Sequence, residues 1–277
     1  MGGIFHPVIK WCSVFLILFI VGCTGVFFQP SKDRVLDPGR IGISYEEFVL
    51  KDGEEPNLVF WKLIPPKEPK GTLLFFHGNA ENMSTHLRSI AWLSAEGYEI
   101  YTLDYRGYGG SEGEAEVDGV HADALRALKF VMKEKPKGIV LYGQSLGASL
   151  ALWSAAQPEV AKYPLLVIAE SPFSSYREIV QEKVGSFWLL YPFQKLFGYL
   201  VRDDYSAIKF IQKISSRVVL IHGESDRTGS IHHSEILCKA RGERCEFWRV
   251  PGADHLGVFN GRTMRERMLT LLASSAS

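Results

Sequence analysis

No surplus of charge of either sign is present in the 277-residue sequence, where 31 Lys and Arg stand against 31 Asp and Glu. That balance excludes the global field by which a strongly basic protein is drawn to nucleic acid or to an acidic surface. Internal repeats and low-complexity tracts are also absent, which excludes a solenoid or a tail-like disordered chain. Cysteine is scarce, with four in all, too few for a scaffold built on disulfides. What is abundant is apolar surface: 46% of the residues are hydrophobic, enough to bury one large core, so a single domain is expected.

The first 28 residues stand apart. Lys10 precedes Trp11-Cys-Ser-Val-Phe-Leu-Ile-Leu-Phe-Ile-Val-Gly-Cys23, a basic residue followed by an apolar run in the pattern of a secretory signal. Ile20-Val-Gly-Cys23 resembles the lipobox of bacterial lipoproteins, which would make Cys23 the acylated residue of a chain exported to the cell envelope. The rival reading is a signal anchor, because Trp11 to Phe28 is uncharged and long enough to span a bilayer. Either reading puts the chain on a membrane, with residues 24–42 as a tether and 43–277 as the folded domain. In an oxidising compartment Cys238 and Cys245 can bridge; two unpaired thiols are the alternative.

Two alternating segments, Ile43 to Leu50 and Leu58 to Ile64, flank the turn-forming Lys51-Asp-Gly-Glu-Glu-Pro56 and predict an antiparallel hairpin. Short apolar runs follow at Thr72 to Phe76, Glu99 to Leu103, Gly138 to Tyr142, Leu165 to Ala169, Arg217 to Ile221 and Glu246 to Val250. Amphipathic helical patterns lie between them. Continuous apolar strands alternating with helices predict an α/β fold with a mostly parallel sheet covered on both faces. An aromatic-rich stretch at about 172–205 is too long for a plain crossover. It reads as a cap with an acyl-binding or membrane-facing surface, or as extra helices packed on the core.

Gly143-Gln-Ser145-Leu-Gly147 follows a predicted strand and opens a predicted helix, the setting of a nucleophile elbow. A serine in so sharp a turn leaves no room for side chains two positions away on either side, which is why both are glycine. A hydroxyl needs a base, and the base an orienting acid, in the chain order Ser, acid, His. Asp226 lies just past one strand and His255 just past the last, so both face the same sheet edge as Ser145. The backbone N–H groups of Leu146 and Asn79 are the candidate oxyanion donors. Among rivals, His222 reads as structural, His77 as shaping its turn, and His232 and His233 as solvated. No set of side chains is spaced for a metal, and Asp254 adjoins His255 too closely to orient it.

These segments together resemble the α/β-hydrolase superfamily, and within it the bud-emergence-protein-like group that includes membrane-associated depalmitoylases. The resemblance is carried by His77-Gly-Asn-Ala80, Leu103-Asp-Tyr-Arg-Gly-Tyr-Gly-Gly-Ser111, Gly143-Gln-Ser-Leu-Gly147, Glu170-Ser-Pro-Phe173, His222-Gly-Glu-Ser-Asp226 and Gly252-Ala-Asp-His255, over roughly residues 41–273. It implies an eight-stranded sheet and hydrolysis of a small-molecule or lipid-like acyl ester or thioester through an acyl-enzyme, with no cofactor. One departure is Arg227-Thr-Gly-Ser230, where the group has x-x-Val-Pro after the acid, which bears on how Asp226 is seated. A serine peptidase of the same fold and a non-catalytic envelope binding module are the competing functions.

Overall fold

The computed structural model describes residues 28–135, 138–163 and 165–275. Cys23 and nearly all of the apolar run Trp11 to Phe28 lie outside them. Eight strands form one sheet: β1 (Ser44–Asp52), β2 (Glu55–Ile64), β3 (Gly71–Phe76), β4 (Tyr98–Leu103), β5 (Ile139–Gln144), β6 (Leu165–Glu170), β7 (Arg217–Gly223) and β8 (Glu246–Val250). Their order is β8-β7-β6-β5-β3-β4-β2-β1. The six strands from β8 to β4 are parallel, and the hairpin of β1 and β2 joins antiparallel to β4.

Among the described residues, seven α-helices pack around it: α1 (Met83–Ala95), α2 (Val117–Glu134), α3 (Leu146–Ala155), α4 (Tyr176–Gly185), α5 (Gln194–Leu200), α6 (His232–Arg241) and α7 (Arg262–Ser275). The strand period divides the core into two layers. Leu74, Phe76 and Leu141 join α2 and α3 on one face, while Leu73, Phe75 and Tyr142 join α1 and α7 on the other. Helical spacing supplies the covering stripes, as in Val120, Ala124, Leu128 and Val131 of α2. The aromatic-rich stretch forms α4, a short 3-10 turn at Tyr191–Phe193, and α5, all between β6 and β7.

Residues 28–42, expected as a tether, are stitched onto the domain. Phe28 is buried, and Gln29–Pro30 pair in parallel with Ala80–Glu81. The Asn82 amide donates to the carbonyls of Ser31 at 3.0 Å and Asp33 at 2.7 Å, and Lys32 Nζ donates to Ser111 O at 2.8 Å. The segment's backbone is satisfied by this two-residue bridge and by loop side chains, which a polar, proline-containing sequence allows. At the other end of the chain, Cys238 on α6 and Cys245 before β8 form a disulfide.

The fold holds His121 of α2 in a cage of rings, stacked 4.2 Å from Tyr205 and edge-on to Trp153 at 5.0 Å. Its Nδ1 donates to Val117 O at 2.7 Å, and its Nε2 is buried without a partner among the described residues. Burial pushes its pKa down to about 4 from the ordinary 6.5. A histidine kept neutral in the fold costs stability in acid, because the unfolded chain binds a proton that the folded one refuses. We therefore expect this group to leave stability unaffected above pH ~6.5 and to remove roughly 3 kcal/mol as pH falls to about 4. Urea unfolding of the protein and of His121→Phe between those pH values checks this, the variant losing less stability on acidification.

Candidate active site

Ser145 sits between the end of β5 and the first residue of α3 with φ 54° and ψ −114°. A non-glycine residue rarely adopts such a backbone, and the turn that enforces it lifts the side chain clear of the sheet. Its N–H donates to Glu170 O on β6 at 2.8 Å, tying the turn to the neighbouring strand. The two glycines have a measurable reason. A Cβ on Gly143 would lie 2.2 Å from Gly147 O, and one on Gly147 would lie 2.1 Å from Phe76 O. Both obstacles are backbone and cannot rotate away. Gly147→Ala should therefore destabilise the domain by about 3 kcal/mol, and an unchanged denaturation midpoint would contradict this packing.

Past the C-terminal end of β7, Asp226 holds two backbone N–H groups of its own loop and faces two imidazoles. Its Oδ1 accepts from the N–H groups of Thr228 at 2.8 Å and Gly229 at 3.0 Å. Its Oδ2 lies 2.7 Å from His255 Nδ1 and 3.2 Å from His222 Nε2. Burial of the carboxyl pushes its pKa up, but the hydrogen bonds from His222 and His255, the His255 charge and the Gly229 N–H outweigh this and hold it far below the usual carboxylate range. A group so depressed stays ionised on acidification well past its ordinary titration. His255 reaches Asp226 from the loop after β8, its Nδ1 on Asp226 rather than on the adjacent Asp254.

Ser145, Leu146, Asn79 and His255 line one cavity of about 110 Å³, whose remaining walls are largely apolar: Pro172, Phe173, Ile179 and Val180. The loop carrying Asn79 is clamped. His77 Nδ1 donates to Gly78 O at 2.7 Å, which fixes the peptide whose other end is the Asn79 N–H. The next carbonyl, Asn79 O, accepts from Tyr108 Oη at 2.9 Å and from Gln29 N at 3.3 Å. His77 is wholly buried, and burial, with the nearby His86 charge, lowers its pKa well below the usual histidine value. It acts on the turn as a neutral donor. Among the described residues no cluster of His, Cys, Asp or Glu could hold a metal.

This architecture has close counterparts. Residues 67–204 match the family model described as "Serine aminopeptidase, S33". The uncharacterized protein YfhR of Salmonella typhi is 30% identical, covering 96% of each chain. The α/β-hydrolase domain-containing protein WAV2 of Arabidopsis thaliana is 27% identical, over 83% of this chain and 78% of that one. An esterase of Pyrococcus furiosus superposes with a TM-score of 0.70 at 19% identity, covering 90% of this chain and 97% of that one. The chain belongs to the α/β-hydrolase superfamily.

As an α/β-hydrolase it departs in the loop after the acid, and the structure gives a compensation. In place of Val-Pro, helix α4 grips Arg227–Ser230: Glu182 Oε1 accepts the Ser230 N–H at 3.0 Å, and Lys183 Nζ donates to Thr228 O. His222, read from sequence as merely structural, is the second imidazole on Asp226. Ser234 Oγ lies 2.7 Å from its Nδ1, and its Nε2–H is shared between Gly229 O at 3.1 Å and Asp226 Oδ2 at 3.2 Å. The four-residue spacing of His222 and Asp226 across a strand end was the available signal. His233, expected as solvated, is instead buried, between Ser174 Oγ at 2.7 Å and Glu182 Oε2 at 3.1 Å. The reason is that α6 packs this residue against the cap helix α4, a contact no local pattern contains. His232 is exposed beside Glu235. No local pattern marks Glu170, whose buried side chain accepts from Tyr142 Oη and from Gln144 Nε2 at 2.8 Å, directly under the serine turn.

Proposed function

We propose that this α/β-hydrolase is a serine hydrolase that cleaves carboxylic esters or thioesters through an acyl-enzyme on Ser145, held at a membrane of the cell envelope by its N-terminal segment. Ser145 Oγ attacks the acyl carbonyl carbon while its proton passes to His255 Nε2. The N–H groups of Leu146 and Asn79 hold the tetrahedral oxyanion. Collapse of that intermediate breaks the bond to the alcohol or thiol, which leaves with the proton from His255. Water then repeats the cycle on the acyl-enzyme and frees the acid and the serine.

The observation that carries this reading is the 2.7 Å contact of His255 Nδ1 with the buried Asp226 carboxylate, on the wall of the same cavity as the strained Ser145. Proton transfer from a hydroxyl needs an oriented imidazole, and a third group must supply the orientation. The family model's description raises a second reading, an aminopeptidase. A free peptide N-terminus is a cation, however, and the charged side chain lining the cavity is Lys183, with no carboxylate among the lining residues. An apolar wall with a basic rim suits an uncharged acyl group better. Turnover of short carboxylic esters against aminoacyl amides by the full chain separates the two, with ester turnover and amide resistance expected.

A further inference from the structure

Eight of the twelve large apolar side chains that the described residues expose fall between Phe187 and Leu200. Trp188 is 85% exposed, Tyr199 71% and Leu189 66%. A water-facing surface seldom concentrates aromatics in this way without something to cover them. From Gly185 to Leu200 the only charged residue is Lys195. Aromatic and aliphatic side chains with almost no charge among them are the composition of a segment that lies in a bilayer interface.

The chain itself indicates which surface covers the patch. The uncharged run Trp11 to Phe28 leads into the domain at Phe28. The next residue, Gln29, donates its N–H to Asn79 O, and Asn79 lines the active-site cavity. On the same cavity stand Ile179, Val180 and Lys183 of α4, which runs directly into Phe187 and Trp188. The residue at which the apolar run reaches the domain and the helix that leads into the aromatic patch are therefore both joined to elements that line one cavity.

We infer that the surface around Phe187, Trp188, Leu189, Phe193, Leu196 and Tyr199 docks into the membrane that receives the N-terminal run, so that the Ser145 cavity opens onto the bilayer and takes its acyl substrate from it. The inference rests on the ester-hydrolase reading for its substrate and on the surface itself for its docking, and the two parts can fail separately.

The test uses the full chain reconstituted into phosphatidylcholine vesicles containing phosphatidylglycerol and bromine-labelled acyl chains. Trp188→Phe isolates the Trp188 signal by difference from the other five tryptophans. Bromolipid quenching of that difference signal is expected, and its absence would overturn the docking. The triple variant Phe187→Ser, Trp188→Ser, Leu189→Ser should hydrolyse a water-soluble acetate ester at the parent rate, which also reports that it folds. It should hydrolyse a long-chain ester embedded in the vesicles at least about tenfold more slowly. Equal loss on both substrates, or on neither, would overturn delivery from the bilayer. A parent that turns over neither ester while Trp188 is quenched would sink the ester reading and leave the docking standing.

Discussion

Replacing Ser145 by alanine is expected to lower ester turnover by about 10⁵-fold while leaving the fold intact. The substitution removes one oxygen at the mouth of a cavity and keeps the glycines that the turn requires. It does not touch the Ser145 N–H bond to Glu170 O or the packing of Gly143 against Gly147. On the proposed mechanism the rate falls steeply because base, acid and oxyanion donors act through the atom that has been removed. A fluorophosphonate should label the parent once, on the peptide containing Ser145, and leave the variant unlabelled. Ordinary turnover by the variant would end the acyl-enzyme mechanism, and failure of the folded parent to label would bring the non-catalytic binding module forward.

Asp226→Asn should cost about 10⁴-fold in the same assay. The asparagine is nearly isosteric, so the geometry persists, but an amide nitrogen facing His255 Nδ1 is a donor where an acceptor is needed. The imidazole is then held in the tautomer that cannot take the serine proton. His222 makes the comparison informative. Its Nε2–H is shared between Gly229 O and Asp226 Oδ2, at 3.1 and 3.2 Å, yet it lies behind the acid rather than on the cavity, so His222→Asn should lose only about tenfold by loosening the carboxylate and its loop. The depression of the Asp226 pKa gives a further sign. What its ionisation contributes is present above the ordinary carboxylate pKa and is lost only when pH falls through the depressed value. Acid inactivation near neutrality therefore does not come from this carboxylate. Equal losses for Asp226→Asn and His222→Asn, measured as kcat/KM, would show that both act on the fold alone.

How far these arrangements can be read from the chain depends on the range of the forces involved. The sheet was legible because a strand buried on both faces must be apolar throughout, and the runs from Thr72 to Val250 lie within the observed strands β3 to β8 or extend them by a residue. The serine turn was legible because its steric demand is local: two residues on each side of Ser145 suffice to express it. Asp226 and His255 could be placed on one edge because parallel strands all end on that edge, although their 2.7 Å contact joins residues 29 apart. What could not be read is what tertiary packing decides. His233 carries no mark of burial because its partners, Ser174 and Glu182, lie on the far side of β7 in the chain. The grip of Glu182 and Lys183 on the Arg227–Ser230 loop is likewise a meeting of two distant segments, and it appears where the familiar Val-Pro is missing.

The stitching of residues 28–42 to the domain changes the length of the leash. A free chain from Cys23 to Gly42 would give the catalytic mouth tens of ångströms of travel, at about 3.5 Å per extended residue. With Phe28 buried and Gln29 bonded to Asn79, a chain held at Cys23 has four residues, 24–27, before the described domain begins, a span of at most roughly 15 Å. On the proposed attachment, such an enzyme would be a stationary tool, acting on what lateral diffusion brings within that radius.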